Sequence, residues 1–106
     1  MATGRLGAQD LSAATNTTLY TCPSDTFAVV SVSLCNRSNQ GCNVRMAIST
    51  SATPGNAEWI EYDTELLGKG VLERTGIVMD AGKLLVVYSN AAGVSAVAFG
   101  LETSTL

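Results

Sequence analysis

Apolar and polar residues alternate along most of this chain with a period of two, the pattern of strands with one buried face. "TFAVVSVSLCN" sets Ala28, Val30, Val32 and Leu34 on one face and Val29, Ser31, Ser33 and Cys35 on the other. "CNVRMAIST" directs Val44, Met46 and Ile48 inward and Asn43, Arg45 and Ser49 outward, and "WIEYDT" opposes Ile60 and Tyr62 to Glu61 and Asp63. "GIVM" and "KLLVVYSN" are apolar on both faces, as expected of strands that are central or covered on their second side. "VSAVAFGLE" carries small residues on one face and Val97, Phe99 and Leu101 on the other.

Turn-forming segments separate these runs: "CPSD", "NRSNQG", "SATPGNAE", "GKG", "DAGK" and "NAAG". The nearest approach to a helical period, "TELLGKGVLER", holds two glycines and does not predict a stable helix. The chain therefore reads as all-β: a single antiparallel β-sandwich of about seven to eight short strands over residues 17–102. Residues 1–16 are small and polar, with Leu6 and Leu11 as the chief apolar positions. Such a segment cannot offset its own ordering entropy, so it predicts an extended or flexible N-terminal arm, disordered or laid on a neighbouring subunit. Leu6 and Leu11 are then candidate interface residues, and residues 103–106 form a tail of the same kind.

Composition narrows the function. Charged residues are 14% of the 106, against about 25% in ordinary globular domains. Low charge with high β-propensity is expected of a domain that covers much of its surface with other protein. The net charge is −3 and the six basic residues are scattered, so no basic stripe or aromatic–Arg platform points to nucleic acid. The longest apolar run, "LLVVY", falls far short of a membrane span. The N-terminus has no apolar core of signal-peptide length, which predicts synthesis and use without secretion.

Candidate chemistry is sparse. There is no histidine, so no Ser–His–Asp or Cys–His arrangement can form within the chain. Glu61, Asp63 and Glu65 alternate, and on a regular strand they would share one face at about 7 Å spacing, within the range of glycosidase carboxylates. A solvated or intersubunit face that discourages edge pairing is the simpler reading. No calcium-type loop accompanies the acids, and "GKG" lacks the spacing of a phosphate loop. Glu73 and Arg74 are adjacent and point to opposite strand faces, so each needs another partner. For Arg74 the candidates are Glu61 and Asp63 across a hairpin turning near "GKG", in the same chain or across a subunit boundary. Trp59 follows a Pro-Gly-Asn loop, where an indole closes a sandwich end, anchors an interface or stacks on a sugar. Cys35 and Cys42 bracket "NRSNQG" and are a candidate cross-strand disulfide or two unpaired small hydrophobes, and Cys22 is the candidate interchain thiol. No metal or other cofactor is called for, and no enzyme activity.

Two segments together, "LYTCPSDTFAVVSVSLCNRSNQ" and "VRMAISTSATPGNAEWIEYDTELLGKGVLERTGIVMDAGKLLVVYSNAAGVSAVAFGLE", resemble small virion proteins of tailed bacteriophages. The likeness lies in a Leu-Tyr-Thr opening with Pro, a strand ending in Asn, Ile-Glu-Tyr-Asp, Leu-Glu-Arg-Thr-Gly and a final Tyr-Ser…Val-Ser-Ala pair. It runs from about Leu19 to Glu102 and departs at Cys22, where the pattern has an aliphatic residue. The resemblance implies an all-β domain that decorates a capsid or forms part of a collar, tail or fibre. The expected role is a capsid decoration (cement) protein. Its partners would be copies of itself, with a trimer the expected form, and other virion proteins such as the major capsid protein. It would be synthesised in the host bacterial cytoplasm and located in the virion. A collar or tail-fibre adaptor and a carbohydrate-binding host-attachment module are the alternatives.

Overall fold

The alternating segments form eight strands in the computed structural model, which describes residues 2–106. They are β1 (Thr3–Leu11), β2 (Thr17–Thr21), β3 (Thr26–Asn36), β4 (Cys42–Ser49), β5 (Trp59–Leu66), β6 (Val71–Met79), β7 (Leu84–Ser89) and β8 (Val94–Ser104). Two four-stranded antiparallel sheets result: sheet A in the order β1-β8-β3-β6, and sheet B in the order β2-β7-β4-β5. No helix occurs among the described residues.

The pairing is nested. β4 pairs with β5, β3 with β6, β2 with β7 and β1 with β8, as though a long ribbon were folded at the β4–β5 turn and then rolled. Contacts of β8 with β3 and of β7 with β4 complete each sheet. Every connection except β4–β5 crosses between the sheets. This is the jelly-roll topology, a double-sheet solution that leaves only the outer strands as edges.

The core fills from one face of each sheet. Ala28, Val30, Val32 and Leu34 of β3 are fully buried, as the alternation predicts, and they meet Val44 and Met46 of β4 and Leu85 and Val87 of β7. Val86, between Leu85 and Val87, is also fully buried although it stands outside the core cluster, so β7 is covered on both faces. Each Leu, Val or Met withdrawn from water in this way contributes about 1.5–3 kcal/mol.

The N-terminal arm expected over residues 1–16 is not seen. Met1 lies outside the described residues, and Thr3–Leu11 pair along β8 of the same chain as an edge strand of sheet A. Leu11 is buried in the core and Leu6 packs partly against it. Their apolar surface is therefore spent within the chain rather than offered as an interface. Backbone pairing with β8 supplies what the sparse side chains of this segment do not. Of the predicted tail, Thr103 and Ser104 continue β8 alongside Phe27 and Thr26, and Leu106 is exposed.

Candidate functional site

The bulges decide where the charged residues point. In β6 the register against β3 shifts between Val30↔Ile77 and Val32↔Arg74, leaving Thr75 and Gly76 opposite Ser31. Arg74 consequently lies opposite Val32, a fully buried inward position, although β6 is the edge strand of its sheet. Glu61, on β5, the edge strand of sheet B on the same side, lies opposite the equally buried Met46 of β4. The two side chains cross the open edge of the sandwich and form an ion pair within one chain, and Arg74 also donates to the Ile60 carbonyl at 3.2 Å. No hairpin brings them together, because β5 and β6 belong to different sheets. The guanidinium is partly exposed, so the pair is worth about 0.2–1 kcal/mol. Arg74→Met is accordingly expected to cost no more than about 1 kcal/mol in a urea melt and to leave the strand pairing intact.

The acidic triplet does not share a face. In β5 the register moves from Val44↔Thr64 to Met46↔Glu61, so Tyr62 and Asp63 both stand opposite Arg45. Asp63 absorbs the extra residue in the left-handed region, at φ 51°. Glu61 is turned to the inner edge, where it also accepts from Thr64 Oγ1 at 2.7 Å. Asp63 faces outward, and its carboxylate accepts from Arg45 Nε at 2.6 Å and Nη2 at 3.3 Å. It does not reach Arg74. Glu73 lies opposite Ser33 on the outer face of sheet A, exposed and without an ion-pair partner among the described residues. No three His, Cys, Asp or Glu side chains converge as a metal site among the described residues.

Arg45 is the centre of a cluster on the outer face of sheet B that the alternation alone does not reveal. Its guanidinium lies 4.2 Å from the Tyr62 ring centre, 4.6 Å from that of Tyr88 and 5.9 Å from that of Trp59. Tyr88 is its cross-strand neighbour on β7. Trp59 meets Tyr62 edge-on, with ring centres 5.4 Å apart and planes at 71°. The carboxylate of Asp63 raises the Arg45 pKa, so the cation is fixed. Trp59 pairs with Ala47, which pairs with Val86. Ala47 and Val86 are fully buried outside the core cluster, so the outer face of sheet B is covered beside Trp59.

The outer face of sheet A is different in kind. β8 turns its small residues, Ala96 and Ala98, into the core and its large ones, Phe99 and Leu101, toward solvent. Leu101 lies beside Val29, and Val29 beside Val78. Phe27 is on the same face of β3. Phe27, Val29, Val78, Phe99 and Leu101 are 38, 37, 66, 36 and 45% exposed. Five large apolar side chains thus form one open patch, with no acidic residue among them.

The cysteines do not fulfil the expectations placed on them. Cys35 and Cys42 are free and do not face each other: β3 and β4 lie in different sheets, so "NRSNQG" is a crossover rather than a hairpin. Cys35 is on the outer face of sheet A, whereas Cys42 is buried in the core. Cys22 is buried, with its Sγ donating to the Thr26 and Met79 carbonyls at 3.5 and 3.7 Å. Burial raises its thiol pKa, and it is withdrawn from any neighbouring chain. At the same end of the sandwich, the Tyr20 hydroxyl donates to Glu102 at 2.5 Å, and the Ala2 amide donates to the other oxygen of that carboxylate at 3.0 Å. The Tyr20 hydrogen bond holds the Glu102 pKa below the usual carboxylate range, and burial raises that of Tyr20.

No family model matches the chain, and no curated protein or solved structure matches it.

Proposed function

We propose that this chain is a structural protein that assembles with copies of itself through the outer face of sheet A. The observation that carries the reading is the inverted pattern of β8. β8 turns Ala96 and Ala98 inward and leaves Phe99 and Leu101 open beside Val29 and Val78. Contiguous apolar exposure of this sort marks association surfaces. Low overall charge limits repulsion between copies, and the face lacks acids at its centre. A second copy is the occupant we favour, because an apolar patch meets its own image, with Arg5 opposite Phe99 and Glu73 opposite Ser33 as charged residues on the same face.

In the specific form that the sequence resemblance implies, the oligomer is a capsid decoration protein of a tailed bacteriophage. It would be made in the host bacterial cytoplasm and carried in the virion against the major capsid protein. Jelly rolls recur in viral coat and lectin domains, which supports the reading by analogy of fold. Many modest contacts would hold such a lattice together by multivalency. A collar or tail position is the second form. Hundreds of copies per particle mean decoration, and a dozen or fewer mean collar or tail.

Val78→Asp tests the assembly itself. Val78 is largely exposed, so the variant is expected to melt as the wild type does. Its carboxylate would be buried without a partner in the assembled state, which predicts association weakened about a hundredfold or more in sedimentation velocity. A monomeric wild type, or a Val78→Asp variant that associates as the wild type does, would overturn the proposal.

A further inference from the structure

The cluster around Arg45 lies on the sheet opposite the apolar patch, and the assembly reading leaves it without a role. Tyr62 is the unusual member. It is 56% exposed, yet its ring lies against the Arg45 guanidinium and is met by Trp59 in a T-shaped contact. The β5 bulge fixes its backbone and sets Asp63 beside it. An aromatic ring that is open to water on one face and immobilised on the other loses little entropy on binding. Its open face is a ready-made stacking platform.

The polar groups beside that platform are matched in sign. Asp63 offers carboxylate oxygens with lone pairs to spare. Arg45 Nη1 makes no hydrogen bond among the described residues, while Nε and Nη2 are held by Asp63. An acceptor and a donor therefore sit side by side, with no net charge between them. Phosphate or another anion would gain nothing from the pair as a whole. Adjacent hydroxyl groups, each of which donates and accepts, would satisfy both.

The surroundings offer further polar groups. Asn43 and Glu65 pair across β4 and β5 as exposed residues, and exposed Asn90 accepts from the Asn43 amide at 2.9 Å. Here the neighbours are hydrophilic. We propose that the outer face of sheet B binds a hexopyranose unit of a glycan. The sugar's C–H face would stack on Tyr62, and two vicinal hydroxyls would bridge Asp63 and Arg45. Trp59 would position Tyr62 from the side.

This site is independent of the sheet A interface, so its test uses the purified chain. The methyl glycosides of glucose, galactose and mannose are titrated in turn at millimolar concentrations, with two-dimensional NMR following the Arg45 Nε–H and Trp59 indole N–H signals. At least one sugar is expected to shift both signals in a saturable way. Tyr62→Ala should weaken that binding roughly tenfold, the scale of one lost aromatic contact. Tyr62→Trp should retain it, and both variants should melt as the wild type does. Asp63→Asn should weaken binding again, by loss of the matched acceptor. The proposal is overturned if none of the three sugars shifts these signals, if the shifts map to sheet A, or if Tyr62→Ala binds as tightly as the wild type. It is equally overturned if Tyr62→Ala abolishes association with a virion protein while no sugar response exists.

Discussion

Replacing Asn36 by Leu is expected to remove about 3 kcal/mol of stability and to lower the melting temperature by on the order of 15 °C. Asn36 is 1% exposed at the end of β3, where sheet A hands the chain over to sheet B. Its Nδ2 donates to the carbonyls of Gln40, Leu66 and Leu67 at 2.8, 3.3 and 3.3 Å. Its Oδ1 accepts from the Ser38 amide and hydroxyl at 3.0 and 2.8 Å. One side chain thus ties the crossover to itself and to the end of β5 in the other sheet. Leu fills the space but satisfies none of these groups, and a buried carbonyl or amide left without a partner costs about 1–3 kcal/mol. Ser38→Ala, which removes one of the two hydrogen bonds to Oδ1, should cost only about 1 kcal/mol. A denaturant titration compares the two. A loss for Asn36→Leu no greater than that for Ser38→Ala would mean that water replaces the amide and that Asn36 is not the tie between the sheets.

Asn36 also shows how much was legible in the chain. Residues 28, 30, 32 and 34 form the inward row, and 36 continues the same parity, yet Asn36 reads naturally as the first residue of the turn "NRSNQG". Parity carried one step further would have marked it as buried and in need of partners. The strands, the all-β class and the inward faces of β3 and β4 follow from local alternation, because burial of one sheet face imposes a period of two. The crossovers do not, since a turn reads alike whether it closes a hairpin or passes between sheets. That ambiguity produced the expected Cys35–Cys42 pair and the expected hairpin at "GKG". Bulges are the second gap. One extra residue in β5 sends Asp63 to Arg45 rather than to the row of Glu61, and the sequence around it looks like regular alternation. The outer cluster of Arg45, Tyr62, Tyr88 and Trp59 is assembled from three strands, so its residue types were visible but their proximity was not. The N-terminal strand escaped for a related reason: β1 is held by backbone pairing to β8 at the far end of the chain, which leaves little trace in its own side chains.

The β8 pattern carries more weight than any single site. Alternation states that one face of "VSAVAFGLE" is small and the other large, but it does not say which is buried. The usual preference puts Phe and Leu inside. Here the small face is inside, where Ala98 and Ala96 lie beside the fully buried Val32 and Leu34 of β3. Large side chains on both rows would overfill the space between the sheets. The outcome frees Phe99 and Leu101 for the open face on which the assembly proposal rests.

The second large effect is expected at Gly100, where a single methyl group should cost more than about 3 kcal/mol or prevent folding. Gly100 lies in β8 between Gly4 of β1 and Val30 of β3. A Cβ added there would fall 2.0 Å from the Val29 carbonyl oxygen and 3.0 Å from its carbon. Those are backbone atoms of the central strand pair, so the clash cannot be relieved by a rotamer change. Either β8 moves away from β3, losing hydrogen bonds along the pair, or the register slips by one residue and every side chain of β8 exchanges faces. The second outcome would bury Phe99 and Leu101 and expose Ala96 and Ala98, undoing both the core and the assembly face. Gly82 supplies the control. It has φ 81° in the turn between β6 and β7, with nothing within 4 Å of an added Cβ. Gly82→Ala should therefore cost only about 1 kcal/mol, the penalty of left-handed backbone without a clash. Thermal melts of the two variants separate the explanations. Equal costs would show that the close approach of β8 to β3 is readily relaxed, whereas a folded Gly82→Ala beside an unfolded Gly100→Ala would show that the fold requires this close approach.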